Sequence, residues 1–408
     1  MAFQDFASLI AVGLTLVGVA VGRYPGLRMN RATIALVGAT AVVALGAVPL
    51  EHAYRAVDWN TILLLFSMMV LNINLRLAGF FRIVSAHVIG FARTPRQLLL
   101  VLIVASGVLS ALFLNDTVVL MFTPLVVEIL TTLRRNPVPY LVALATAANV
   151  GSAATIIGNP QNMLIGMASK IGFGQFALAL APVAAAGLMV IYAVVLLVYQ
   201  EEFAQNSFRP VANYQVRTFR PLLIKSLVAF GLMFVALVAG VAIPLAALGA
   251  AALLLVTRRI KPARVFTELD WSLLVFFAAL FVVTHAINVL LVNSMRGELA
   301  RVSSGSGLAT LSAVSVVLSN LVSNVPAVLL LRPVVSSWPE PTAGWLTLAM
   351  ATTFAGNLTL LGSVANLIVA ESARARGVHL GFGEYLKAGV PITVLTVALG
   401  VLWLAHIG

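Results

Sequence analysis

The 408-residue chain contains no cysteine. Disulfides, thiolate metal sites and thiol nucleophiles are thereby excluded. Charge is nearly as scarce. Asp, Glu, Lys and Arg together make up 9% of the residues, against 61% that are apolar, a balance far outside that of soluble domains. The 5 histidines show no metal-ligand spacing. The chain has no nucleotide-binding glycine loop and no nucleophile–base pair, so neither an enzyme nor an ATP-driven pump is expected.

What fills the chain instead is a succession of apolar runs, each about 18 to 22 residues, the length that crosses roughly 30 Å of hydrocarbon. They lie near residues 7–22, 32–50, 59–80, 97–114, 117–133, 139–168 and 177–199. After a polar linker at 201–220 they resume at 221–239, 242–257, 271–292, 305–322, 325–337, 344–370 and 386–405. The expectation is an all-α polytopic membrane protein with no soluble domain. Acidic Asp5 precedes the first run, and no small-residue cleavage site follows it, so that run reads as a span and not as a removed leader.

The formal charge of +12 does not point to nucleic acid. Of the 25 basic residues, 19 fall in six clusters, around Arg23–Arg31, Arg82–Arg96, Arg134–Arg135, Arg209–Lys225, Arg258–Arg264 and Arg374–Lys387. That asymmetry is the positive-inside pattern of a cytoplasmic (inner) membrane protein, and it places both termini on the opposite side. The partner it implies is the lipid bilayer.

Two passages repeat. Asp58-Trp59 recurs as Asp270-Trp271, Gly38 as Gly249, Asn115 and Pro124 as Asn324 and Pro333, and Thr155, Gly158 and Asn162 as Thr359, Gly362 and Asn366. The order is kept while the offset drifts from 212 to 204 residues, which argues for an internal duplication. The basic loop Arg258–Arg264 corresponds to a poorly charged loop after Val48, so equivalent loops face opposite sides and the repeats are inverted. The expected units are 1–200 and 221–408. Each would hold about five transmembrane helices plus a helical hairpin (97–133 and 305–337) and a long segment interrupted by glycine (139–168 and 344–370). The polar hairpin tips favour a re-entrant form; two full crossings, giving fourteen continuous spans, is the alternative.

Amide and hydroxyl groups at membrane depth are costly unless they line a polar cavity. A broken helix bares carbonyls on one side and amides on the other. The carbonyls, with Asn and Ser oxygens, can replace the water shell of sodium, while the amides attract anions. The first candidate set is Ser110, Asn115, Asp116 and Thr117 with Asn149, Thr155, Gly158, Asn159 and Asn162. The second is Ser319, Ser323 and Asn324 with Asn357, Thr359, Gly362, Ser363 and Asn366. Sodium would sit at Ser110, Asn115 and Gly158, and at Ser319, Asn324 and Gly362. Asp116 would either bind a cation or carry a proton as the coupling acid, or it would cap the helix that follows. Glu128 reads as a boundary residue, Arg332 as a snorkelling side chain, His285 as packing, and Asp58 and Asp270 as caps beside interfacial tryptophans.

With those residues in view, the chain resembles the ion transporter superfamily: arsenite permeases, citrate–metal transporters, D-type sodium/proton antiporters and divalent anion/sodium symporters. The resemblance covers essentially the whole chain. Gly151-Ser-Ala-Ala-Thr-Ile-Ile-Gly-Asn-Pro-Gln-Asn162 is similar to the segment of citrate-transporter-like and anion-permease members, and Asn115-Asp116 to the arsenite-permease tip. The Ser-Asn-Thr triplet of the dicarboxylate symporters falls on Leu114-Asn115-Asp116 and Ser323-Asn324-Val325, keeping Asn at the first tip and Ser-Asn at the second. The resemblance implies an elevator mechanism on a scaffold that forms a homodimer. The function expected is secondary active transport of small carboxylate or inorganic anions, coupled to sodium or protons, with no cofactor. A sodium/proton antiporter, an arsenite efflux permease and an ion channel are the alternatives.

Overall fold

The computed structural model describes residues 3–22, 28–204, 218–256, 261–292 and 307–407. Arg23, Arg209, Arg217, Arg258, Arg259 and most of the expected linker lie outside them. The described residues form helices and no strand. In the first half these are α1 (Phe3–Val21), α2 (Arg31–Ala44), α3 (Leu50–Ala56), α4 (Trp59–Ala78) and α5 (Phe80–Phe91). They continue as α6 (Pro95–Leu112), α7 (Asn115–Thr132), α8 (Val138–Ser152), α9 (Pro160–Ser169), α10 (Phe173–Val198) and the single turn α11 (Gln200–Phe203). The second half has α12 (Arg220–Val238), α13 (Ile243–Leu255), α14 (Pro262–Thr267) and α15 (Trp271–Ile287), which ends in a π-helical turn over Asn288–Val292. It closes with α16 (Gly307–Val322), α17 (Asn324–Ser336), α18 (Pro341–Ala355), α19 (Val364–Arg374) and α20 (Phe382–Ile407).

Among the described residues, seven helices are long and apolar enough to cross a membrane. The fold is all-α and polytopic, with two inverted-topology repeats. Helices α6 and α7 form the first hairpin and α16 and α17 the second, each turning within one or two residues. The long segments break as expected, α8 from α9 across residues 153–159 and α18 from α19 across 356–363. Prolines lie inside α7 and α17 (Pro124, Pro333) and inside α10 and α20 (Pro182, Pro391), bending paired helices at paired places.

The repeats interlock. Helix α15 of the second packs on α2 of the first, and α13 of the second on α4 of the first. Aspartates cap both paired helices as the sequence suggests: Asp58 accepts from the amides of Asn60 and Thr61, and Asp270 from that of Leu273. The stretch after residue 79 differs from the expected loop. Gly79, with φ of 86°, ends α4 in the left-handed region that glycine favours, and the chain restarts at once as the amphipathic α5, which carries Arg82. The segment is too short to span and its polar residues interrupt the apolar run, so by composition alone it reads as a connection.

Candidate functional site

Both hairpin tips are buried at the helix breaks. Asn115 is 5% exposed and Asn324 9%. The backbone amide of Asn115 donates to the Gly158 carbonyl at 3.1 Å, so the first tip meets the first break directly. A tip in that position lies at the depth of a mid-helix interruption and not in bulk water, which is the re-entrant arrangement. Gly158 is required there: a Cβ would come within 2.3 Å of the Ser152 carbonyl and 2.7 Å of the Ser110 carbonyl, both backbone atoms that cannot swing away.

Each break is held open by one asparagine. Asn162 Nδ2 donates to the carbonyls of Ser152 (3.1 Å) and Thr155 (3.0 Å). Asn366 Nδ2 does the same with Gly356 (2.7 Å) and Thr359 (3.0 Å), each residue 204 positions after its counterpart. The unwound carbonyls are thereby satisfied without water. The restarting helices are capped in parallel. Asn159 Oδ1 accepts from the Asn162 amide at 2.8 Å, and Ser363 Oγ from that of Ala365 at 3.2 Å.

The two breaks are also wired to each other. Asn149, on the last turn of α8, donates to Asn357 Oδ1 (2.9 Å) and Asn366 Oδ1 (3.0 Å) in the second break. Its own Oδ1 accepts from Ser363 Oγ (3.0 Å) and from Asn115 Nδ2 (3.2 Å) at the first tip. In the reverse direction, Thr353 of α18 receives Asn159 Nδ2 (3.3 Å) and Gln161 Nε2 (3.4 Å) and donates to Asn162 Oδ1 (3.4 Å). Thr155 hydroxyl donates to the Ala111 carbonyl, while Thr359 donates to Asn320 Oδ1 at 3.1 Å.

A cavity of about 740 Å³ opens beside this network. It is bounded by both tips (Asn115, Asp116, Ser319, Ser323, Asn324) and by the first turns of α9 and α19, at Pro160, Gln161 and Ser363. Its other wall is α1, α2 and α15, contributing Arg31, Asp270 and Phe277. Four helices therefore begin at this cavity: α7, α9, α17 and α19. Of these, α7 and α17 have no side-chain cap at their N-cap positions, Leu114 and Ser323, and Asp116 lies on the first turn of α7, sharing the cavity with Asp270.

Four buried oxygens at the tips have no hydrogen-bond partner among the described residues: Ser110 Oγ and Asn115 Oδ1 in the first repeat, Ser319 Oγ and Asn324 Oδ1 in the second. The same two positions are left open in both repeats, each pair 209 residues apart. The other expected residues lie deeper. Asn149, Thr155, Asn159, Asn162, Asn357, Thr359 and Asn366 form the supporting network, with Gly158 and Gly362 at the close approaches. Thr117 is half-buried on α7 and does not reach the cavity.

Several residues of the site escape a reading of the sequence. Asp270 lines the cavity as well as capping α15, and Glu371 joins it from α19. Thr353 is findable in principle, since it occupies the place of Asn149 in the other repeat. Asn320, Arg31 and Gln161 carry no such signal.

The citrate transporter family model matches residues 16–355, most of the chain and all of both tips and the first break. The protein belongs to the citrate transporter family. A 46 kDa membrane protein of Mycobacterium leprae is 30% identical over 408 residues, covering 93% of this chain and 95% of that one. The silicon efflux transporter LSI3 of Oryza sativa subsp. japonica is 30% identical over 450 residues, covering 92% and 93%. Among solved structures, MtrF of Neisseria gonorrhoeae shares the fold, with a TM-score of 0.61 at 14% identity over 99% of this chain and 94% of that one. This citrate transporter family member is a multi-pass membrane transporter.

Proposed function

We propose that the protein is a secondary active transporter of small anions, carboxylate or inorganic oxyanion, driven by a sodium or proton gradient. The observation that carries this reading is the convergence of four helix N-termini on one cavity of about 740 Å³. Exposed amides and the positive ends of helix dipoles favour a negative ligand. Two of the four helices lack side-chain caps; at α7 backbone carbonyls already take the Asn115 and Thr117 amides, so α17 is the helix that would offer first-turn amides to a substrate.

The paired oxygens of Ser110 and Asn115, and of Ser319 and Asn324, supply the complementary chemistry. Unpartnered, they cost stability; around sodium they would serve as ligands, with the Gly158 and Gly362 regions beside them. Asp116 supplies the alternative coupling chemistry, taking up a cation or a proton on the substrate side of α7. The interface between the tips and the wall of α1, α2 and α15 is where an elevator would slide, and a homodimer would anchor the wall.

A second reading has its own support. Asp116, Asp270 and Glu371 outnumber Arg31 on the cavity wall. A neutral hydroxylated acid would meet less repulsion there than a dianion, and the rice relative is named a silicon efflux transporter. Arsenite efflux belongs to the same chemistry. A sodium/proton antiporter would use Asp116 and the same carboxylates with no anion at all.

The test is uptake into proteoliposomes of citrate, succinate, sulfate, phosphate, arsenite and silicic acid, with and without sodium or a pH gradient. Gradient-dependent movement of one of the anions supports the proposal. Movement of arsenite or silicic acid alone supports the second reading. Large currents that follow voltage without any gradient coupling would make the protein a channel.

A further inference from the structure

Arg332 is half-buried on α17. It lines a second cavity, of about 470 Å³, together with Arg55, Thr284, His285, Asn288 and Ser336. Among the described residues no carboxylate lines this cavity. Arg55 is paired with Glu51 at 2.6 Å on the exposed side, whereas Arg332 has no ion-pair partner among the described residues. His285 is likewise not sealed in packing: it is half-buried and meets the ring of His52 edge-on at 6.5 Å.

The location matters as much as the charge. Helices α15 and α17 pack on each other and run from one cavity to the other. The substrate cavity touches Phe277 and Val325; the second touches Phe281 and Leu329. Those pairs are one helical turn apart, so the partition between the cavities is about 6 Å thick along both helices. Leu280 and Val328, both buried, lie between those positions along the two helices. The π-helical turn at Asn288–Val292 borders the second cavity, where Asn288 and Val289 are part of its lining.

We propose that this second cavity is an anion-binding vestibule at the opposite mouth of the substrate path, and that Arg332 sets its preference for negative charge. A cleft with one sign of charge and apolar walls raises the local concentration of counter-charged solutes. The preference of the cavity for anions stands on its own lining, whereas its place on the transport route rests on the small-anion reading above.

The cysteine-free chain makes the test direct. A single Ser336→Cys variant is labelled with two methanethiosulfonate reagents of similar size, one bearing a sulfonate and one a trimethylammonium group. The ratio of anionic to cationic labelling rates is expected to exceed that of a small thiol in free solution. It should fall about threefold with Arg332→Gln and recover with Arg332→Lys, the size of effect one unit charge exerts across a wet cavity. A ratio equal to that of the free thiol, or one unmoved by Arg332→Gln in a protein that still folds, overturns the proposal. In proteoliposomes Arg332→Gln should raise KM about threefold for sulfate or phosphate carried as a dianion, and somewhat more for citrate, at unchanged kcat. A collapsed labelling ratio with unchanged KM removes the vestibule from the path. A collapsed ratio in a protein that carries no anion refutes the transport reading and leaves the anion preference of the cavity standing.

Discussion

Asn149 and Thr353 occupy equivalent places, 204 residues apart, and each reaches into the break of the other repeat. The exchange is unequal. Asn149 makes four side-chain bonds of 2.9 to 3.2 Å, while all three contacts of Thr353 lie at 3.3 to 3.4 Å. One asparagine thus ties the first hairpin tip to both broken segments.

Asn149→Ala leaves three buried groups without partners, Asn115 Nδ2, Asn357 Oδ1 and Asn366 Oδ1, and takes one bond from Ser363, at about 2–5 kcal/mol. Thr353→Ala gives up only long contacts and should cost about 1 kcal/mol. Thermal unfolding in detergent should rank the two in that order. Equal melting shifts would show that the network is not organised around Asn149.

Gly158→Ala should abolish transport and lower the yield of folded protein, because the new methyl meets two backbone carbonyls. Gly362→Ala should be milder. There the nearest atom, at 2.8 Å, is the side-chain oxygen of Asn320, which can shift only by straining its bond from Thr359, and the Gly356 carbonyl stands at 3.0 Å. Size-exclusion yield and initial uptake rates measure both.

Ser110 and Ser319 donate to nothing among the described residues, so replacing either by alanine should leave the melting temperature almost unchanged. If their oxygens serve sodium, each replacement should raise the half-saturating sodium concentration about tenfold, the loss of one good ligand. A clear drop in stability with unaltered ion dependence would make them packing residues.

Asp116→Asn keeps the shape of the side chain and removes its charge. The N-cap position of α7 is Leu114 and not Asp116, so the fold should tolerate the change. Transport should be lost, or should continue without gradient coupling. Coupling measured at the native level in this variant would take Asp116 out of the mechanism.

The parts of this architecture that were legible in the sequence are those where polar groups interrupt oily helices. Asn115, Asn324, Gly158 and Gly362 stand out because hydrocarbon tolerates them only with a partner, and their repetition at a near-constant offset doubles the signal. The wall facing the tips was not legible. Asp270 already has a sufficient local explanation as a cap, and only the packing of α15 on α2 brings it to the cavity. The second cavity was equally hidden: Arg332 reads along α17 as a snorkelling side chain, and the lining that α3 and α15 share with it leaves no trace in a one-dimensional pattern.

The crossed packing of α13 on α4 and α15 on α2 has a bearing on biogenesis. A ribosome delivers the first half well before the second exists, so α2 and α4 enter the bilayer with their mating faces covered only by lipid. Assembly must wait for the late helices. A chain truncated near residue 220 would therefore insert and yet never close, leaving an open half-molecule for quality control to remove.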